Sequence, residues 1–180
     1  MTLPVFNLEK SLNSVLYITS KLRTKDFHKI FKVLYFADRE HLAEYGRTIT
    51  GDSYIKMDNG PVPSNIYDIF KSVRKDGFWA KNSKQFEKYF SVVDRFLIDP
   101  KMGPDLKVLS ESDIEQLDKS IAIYGDMTFG ELKDKSHDFA WSSTADDSVI
   151  TMDKILQERG EDEEYIKFIR YMTAFDKACY

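Results

Sequence analysis

Four residues of this chain carry side chains that could perform hydrolytic or metal-assisted chemistry: Asp38, His41, Asp52 and His137. Carboxylates and imidazoles act as general bases and as zinc ligands when folding brings them close together. Their spacing matches no zinc signature, because neither an H-E-x-x-H nor a C-x-x-C pattern occurs. A hydrolase or metal enzyme would therefore require all four side chains to converge in one pocket. The sequence favours the structural alternative, in which buried carboxylates hold a loop and histidines orient turns.

Other catalytic signatures are absent from the sequence. It contains neither a G-x-S-x-G nucleophile motif nor a Walker motif, and the glycines at positions 46, 51 and 60 are too widely spaced for a phosphate loop. The one cysteine, Cys179, cannot form an intramolecular disulfide and is predicted to be an inert thiol. The sequence therefore predicts a protein that is not an enzyme and that uses no cofactor or metal.

The stretch at positions 51–64, GDSYIKMDNGPVPS, has the strongest local signals in the chain. Residues 53–57 alternate between polar and apolar side chains, which predicts a short strand. An Asn-Gly pair then favours a turn with left-handed backbone, and the two prolines after it require an extended segment that cannot lie mid-sheet. Ser64 is predicted to cap the helix that follows. The stretch is thus a rigid strand–turn–cap unit.

This unit could serve as a recognition surface. The chain is rich in aromatic residues, at 14%, and such residues suit contact surfaces as well as cores. The side chains predicted to be presented are Tyr54, Met57, Val62 and Tyr67. The alternative is that these side chains belong to the core, and that the glycines and prolines only shape a turn.

Helices must position these groups. Asn7 is predicted to cap a first helix, and Thr24 a second, longer helix that ends at Gly46. The apolar stripe of the second helix becomes polar in its last turns, where Asp38 and His41 lie on the buried side. Each of these two side chains must therefore find hydrogen-bond partners.

The rest of the chain predicts a small strand region followed by more helices. Residues 86–98 are rich in β-formers and follow a loop at 78–85, while Ser110 and Thr128 are predicted caps of later helices. The predicted fold class is α+β, predominantly helical, with about six helices around a small antiparallel β-sheet. Residues 1–180 are predicted to form a single domain, of which 143–180 are a C-terminal helical extension.

Charge and hydropathy limit the partners. A net charge of −4 argues against general affinity for nucleic acid, which requires a basic surface. The sequence shows no secretory leader and no apolar run approaching the roughly 18 residues of a membrane span. We therefore expect a cytoplasmic protein with neither a nucleic acid nor a membrane as its partner.

Several motifs resemble the Panacea domain of SocA-like antitoxins: KVLYFADREHL at 32–42, YGR at 45–47, GDSY at 51–54 and NGPVPS at 59–64. A downstream Leu132, Ser136, His137 and Trp141 pattern is also similar, although the family more often has Thr at the position of Ser136. The resemblance covers residues 8–142. The residues that it makes candidates for partner binding are Tyr35, Asp38, His41, Tyr45, Gly46, Gly51, Asp52, Tyr54, Met57, Gly60, Pro61, Val62, Pro63, Ser64, Tyr67, His137 and Trp141.

The resemblance implies a non-catalytic protein, some of whose relatives are phage-associated. Its implied role is that of the antitoxin in a type II toxin–antitoxin system, which neutralises a cognate protein toxin, encoded by the adjacent gene, through direct protein–protein binding. An alternative that the resemblance also implies is an adaptor that delivers the toxin to a AAA+ protease. A metal-dependent hydrolase is the weakest of the three hypotheses.

Overall fold

The structure of the protein, a computed structural model, describes residues 5–76 and 78–178, so that Cys179 lies outside the described residues. Within these ranges the helices are α1 (Leu8–Lys21), α2 (Phe27–Tyr45), α3 (Ser64–Val73), α4 (Glu111–Tyr124), α5 (Phe129–Ser136), α6 (Phe139–Ser142), α7 (Met152–Glu158) and α8 (Glu163–Ala178). A 3₁₀ helix spans Phe78–Gln85. The strands are β1 (Tyr54–Met57), β2 (Gly60–Pro63), β3 (Phe90–Val93) and β4 (Leu97–Pro100).

The predicted fold class, α+β and predominantly helical, is confirmed, with differences in detail. The described residues form eight α-helices where about six were expected, because helices such as α6, with four residues, are too short to show helical periodicity. Residues 78–85, expected as a loop, form the 3₁₀ helix. The single predicted sheet is two separate antiparallel pairs, β1–β2 and β3–β4.

The centre of the structure is α2. Its residues 30–38 are buried on every side of the helix, which requires packing partners in all directions. One apolar cluster joins α2 to α1, α3, α4 and the β3–β4 pair, and a second joins it to β1, α5, α6, α7 and α8. Although α2 has 19 residues, neither it nor any other described helix is long and apolar enough to cross a membrane.

The start of α2 differs from the prediction. The sequence suggests Thr24 as the cap, but the N-cap is Asp26, whose Oδ1 accepts the N–H of Lys29 at 2.9 Å. Both residue types can cap a helix, and a tertiary contact decides between them. Asp26 forms an antiparallel bridge with Leu97, which keeps its backbone extended, so the helix begins only after it.

The β1–β2 hairpin contains the strand and turn that the sequence predicts. Its register runs from Tyr54 opposite Pro63 to Met57 opposite Gly60. Prolines donate no N–H, and in the described part of the chain β2 pairs with β1 alone, which confirms its edge position. On the other side of β1, a bridge joins Ile55 to Val149. The hairpin is thus held by the chain that leads into α7.

Candidate functional site

Asp38 anchors the loop between α2 and β1 from inside the protein. Its Oδ1 accepts the N–H of Ile49 at 2.7 Å, and its Oδ2 accepts the hydroxyls of Thr50 at 2.6 Å and Tyr54 at 2.8 Å. Burial raises the pKa of Asp38 above its ordinary value, and these hydrogen bonds oppose that rise. Tyr54 is only 2% exposed, so it holds the hairpin from within. The prediction that it presents its ring at the surface is therefore wrong.

Asp52 caps α3 from outside the helix. Its Oδ1 accepts the N–H of Asn65 at 3.0 Å, and its Oδ2 accepts the N–H of Ile66 at 2.9 Å. Burial raises the pKa of Asp52, and the same hydrogen bonds act against this. Ser64, the predicted cap, is instead the first helical residue, and the N-cap position is occupied by Pro63, which makes no side-chain cap. Asp52, and not Ser64, therefore caps α3.

The turn of the hairpin rests on a buried lysine. Lys32, on α2, is 1% exposed and donates its ammonium group to the carbonyl of Pro61 at 2.8 Å. Gly60 lies directly above it with φ +97°, and a Cβ atom there would be 2.3 Å from the Oγ of Ser136 and 2.7 Å from the Cε of Lys32. This position therefore needs glycine for both its backbone angle and its lack of a side chain.

Two histidines contact the same turn. The Nε2 of His28 lies 3.2 Å from the carbonyl oxygen of Asn59, and the ring of His137 interacts with the backbone of Asp58. Burial, supported by the positive charge of Lys32, lowers the pKa of His28 to about 4 and also lowers that of His137. Both rings are therefore neutral at pH 7, and they support the turn without adding charge to it.

Trp141 supports the hairpin from α6. Its ring stacks on His137 with centroids 3.6 Å apart and an interplanar angle of 4°. Its Nε1 donates to the carbonyl of Met57 at 3.0 Å, and the ammonium group of Lys56 lies 4.4 Å from its ring centroid. His137 and Trp141 of the downstream family motif thus contact the hairpin, although more than seventy positions separate them from it in the sequence.

His41 belongs to a different network, near the end of α2. Its Nδ1 is 2.7 Å from the carbonyl oxygen of Arg47, and its Nε2 is 3.2 Å from a carboxylate oxygen of Asp113. Burial alone would raise the pKa of Asp113, but hydrogen bonds from His41 and Lys10 hold it well below its usual range. Tyr45, next to His41, is 42% exposed and donates its hydroxyl to Glu115 at 3.3 Å.

The remaining predicted residues are part of the scaffold. Tyr35 is fully buried and donates its hydroxyl to Asp138 at 2.8 Å. Gly46 ends α2 in a left-handed conformation. Gly51 has φ +66°, and a Cβ atom at this position would lie 1.9 Å from the carbonyl oxygen of Val5. These residues fix the backbone on which the hairpin is built.

The four residues that could have formed an enzyme site do not share one. Asp38 and Asp52 are joined through Thr50, whose hydroxyl donates to Asp38 and accepts the N–H of Asp52. His41 is directed towards Asp113, and His137 stacks on an aromatic ring beside the hairpin. Across residues 5–76 and 78–178, no cluster of three His, Cys, Asp or Glu residues could hold a metal ion. The four side chains therefore do not converge in one pocket, which a hydrolase or metal enzyme built on them would require.

A surface cavity of about 600 Å³ lies beside the hairpin, and we call it the hairpin groove. Its inner lining includes Phe27, Phe31 and Tyr67, with Tyr67 packed edge-on to both phenylalanines at centroid distances of 6.5 and 5.7 Å. Val62 of β2 lines the same groove. The predicted recognition residues Val62 and Tyr67 thus face a cavity, where they are half-buried.

Part of the outer lining of the hairpin groove is apolar and exposed. Met57, Phe96 and Phe129 are 39%, 48% and 52% exposed, respectively. The ring of Phe129 stacks on His28 with centroids 3.9 Å apart, so its position is fixed even though half of it faces solvent. Exposed apolar groups gathered around a cavity are typical of interaction sites.

Sequence reasoning found part of this groove. The strand–turn–cap unit predicts Met57, Val62 and Tyr67 as recognition residues, but no sequence pattern predicts Phe96 or Phe129. Phe96 precedes β4 and Phe129 begins α5, and no local pattern distinguishes them from core phenylalanines. Only the placement of β4 and α5 beside α2 brings them to the hairpin.

The comparisons with known proteins agree with the motifs. A family model described as "Antitoxin SocA-like, Panacea domain" matches residues 30–142. This range is more than half of the chain and includes most of α2, the β1–β2 hairpin, and the helices through α6. No curated protein and no solved structure matches the chain.

Proposed function

The chain belongs to the SocA-like antitoxin family with the Panacea domain, and we propose that it is the antitoxin of a type II toxin–antitoxin system. In this proposal it acts in the cytoplasm, without catalysis, by binding a cognate protein toxin encoded by the adjacent gene. The observation that carries the proposal is the family match over residues 30–142. The hairpin groove, most of whose lining residues lie in this range, supplies a surface for the contact.

The rigidity of the groove supports a role in binding. The hairpin is held by the carboxylate of Asp38, by Lys32 and by Trp141, each of which makes a hydrogen bond of 3.0 Å or shorter to it. A surface that is ordered before its partner arrives loses less conformational entropy on binding. The groove can therefore offer Met57 and Phe129 as fixed apolar contacts.

The test is co-expression with the product of the adjacent gene, with growth and co-purification scored together. We expect growth to be rescued and a stable complex to form. Loss of rescue with Phe129→Ser, but not with Phe175→Ser, would assign the contact to the groove, since Phe175 on α8 is similarly exposed at 55%. If neither rescue nor binding occurs, the proposal fails.

The protease-adaptor alternative predicts a different result in the same experiment. Rescue without a stable complex, together with ATP-dependent loss of the toxin, would favour delivery to a AAA+ protease over neutralisation by binding. The toxin level in cells, measured with and without this chain, separates the two mechanisms.

A further inference from the structure

We infer that the hairpin groove takes large apolar side chains from a toxin segment flanked by Lys or Arg residues, and that this segment binds by side-chain insertion and not as an added strand. The inference rests on the proposed function, because it specifies the chemistry of the partner at the same surface.

The size and composition of the groove define the apolar part of the partner. Its volume of about 600 Å³ lies within the roughly 300–1,000 Å³ of typical ligand cavities. Phe27 and Phe31 are each 4% exposed, and they form its apolar interior. Such an interior accepts aromatic or large aliphatic side chains, and the exposed Met57 and Phe129 extend the contact outwards.

The charges in the lining determine which residues of the partner should flank its apolar side chains. The lining contains three carboxylates, of Asp26, Asp58 and Asp147. Asp58 and Asp147 are exposed, and neither has an ion pair with any residue that the structure describes. The two basic groups of the lining do not balance them at the surface, because Lys32 is buried on Pro61 and His28 is neutral at pH 7.

Among the described residues, four cations also border the groove, and two of them are engaged in ion pairs. Arg74 lies over the rings of Phe27 and Phe96 and is paired with Asp76 at 2.8 Å, while Lys71 lies over Tyr67 and is paired with Asp68 at 2.5 Å. Arg95, over Phe96, and Lys133, near His28, border the groove without lining it. The lining itself has three carboxylates against the one buried ammonium group of Lys32. It is therefore acidic, and it complements a basic segment.

The edges of the hairpin argue against strand addition. Pro61 and Pro63 have no N–H to donate, and the carbonyl of Pro61 is already occupied by Lys32. The opposite edge, β1, is covered by residues 147–150, with Ile150 donating its N–H to the carbonyl of Tyr54 at 2.8 Å. A partner must therefore bind through its side chains and not through a β-ladder.

The test selects binding sequences from a random peptide library displayed on phage, with the purified full-length protein as the target. We expect enriched peptides to combine Phe, Trp, Leu or Met with adjacent Lys or Arg residues. Against the Asp58→Lys/Asp147→Lys variant the basic preference should disappear, and a peptide selected on the wild type should bind roughly tenfold more weakly. Against Met57→Ser/Phe129→Ser, enrichment itself should be lost.

A matched control is Phe168→Ser/Phe175→Ser on α8, whose two rings are each 55% exposed and lie outside the groove. This variant should bind the selected peptides as the wild type does. No enrichment, a preference for acidic peptides, or equal losses in the groove and α8 variants would overturn the inference. Thermal melting of each variant, expected to be unchanged, separates lost binding from lost folding.

The same variants in toxin co-expression distinguish this inference from the proposed function. If the wild type rescues growth and the groove variants rescue it equally well, the antitoxin function stands and the groove inference fails. If the wild type gives no rescue while basic apolar peptides still bind the groove, the proposed function fails and the groove chemistry stands.

Discussion

Lys32 places an ammonium group in the apolar interior below the hairpin turn, with the Pro61 carbonyl at 2.8 Å as its acceptor. Removing a charge from water is costly, and burial accordingly lowers the pKa of Lys32 from 10.5 to about 7. The charged lysine therefore weakens the fold while its hydrogen bond positions the turn. This gives the residue a measurable pH signature.

We predict that the free energy of unfolding rises between pH 7 and pH 9 more steeply in the wild type than in Lys32→Met. Between the folded pKa of about 7 and the unfolded value of 10.5, the unfolded chain binds more protons, so raising the pH stabilises the folded state. The extra slope is at most about 1.4 kcal/mol per pH unit. Urea denaturation at pH 7, 8 and 9 measures it, and parallel curves for the two proteins would contradict this account.

Gly60 sets a steric limit at the same turn. We predict that Gly60→Val destabilises the protein by about 2–4 kcal/mol, since valine disfavours positive φ and its Cβ would collide with Ser136 and Lys32. Thermal and urea unfolding measure the loss. Gly103→Val is the control, because no atom lies within 4 Å of a Cβ at position 103. Equal stability of the two variants would show that the turn can adapt.

At the scale of elements, a carboxylate joins the loop before β1 to the helix after β2. The carboxylate of Asp52 accepts the backbone N–H groups of Asn65 and Ile66, which lie in the first turn of α3 and have no partner within the helix. The hairpin between them is therefore closed at its base by the Asp52 carboxylate as well as by its own strand pairing. The orientation of α3, and with it that of Tyr67 in the groove, depends on this cap.

We predict that Asp52→Ala lowers the unfolding free energy by about 1–3 kcal/mol, because it leaves buried donors unsatisfied. Ser64→Ala should change it by less than about 0.5 kcal/mol, since Ser64 has no capping role in the structure. Chemical denaturation of both variants tests this pair. A larger loss of unfolding free energy from Ser64→Ala than from Asp52→Ala would show that Ser64, and not Asp52, caps α3.

At the scale of the whole molecule, residues beyond the family match complete the second apolar cluster. Ile150, Ile155, Leu156, Ile166 and Ile169 pack there against α2 and β1 residues, and each is at most 4% exposed. Burial of five such side chains contributes on the order of 10 kcal/mol, which is comparable to the total stability of a domain of this size. The segment after residue 148 is thus an integral part of the core.

We predict that a chain ending at residue 148 does not unfold cooperatively, because it exposes the α2 face of the second cluster and loses the bridge between Ile55 and Val149. Circular dichroism during heating, compared with the full-length protein, measures this. A cooperative transition at an unchanged temperature would mean that residues 1–148 form an independent domain.

The sequence predicted helix caps correctly where the cap and its helix are adjacent in the chain. Asn7, Ser110 and Thr128 all accept a backbone N–H three residues later, as their types and positions indicate. Thr24 and Ser64 fail as predicted caps because distant groups compete with them. Asp26 is fixed by its bridge to Leu97, and Asp52 reaches α3 across the hairpin.

The sequence by itself determined the α+β class, most helices, the presence of a turn before Gly60 and the family motifs, because each depends on residues within a few positions of one another. The tertiary structure alone decided which motif side chains are buried and which line the hairpin groove. Tyr54 points into the core, while Met57, on the same strand, lines a groove with Phe96 and Phe129 from distant elements. Such contacts follow from how helices pack around α2, and no local pattern of residue types encodes them.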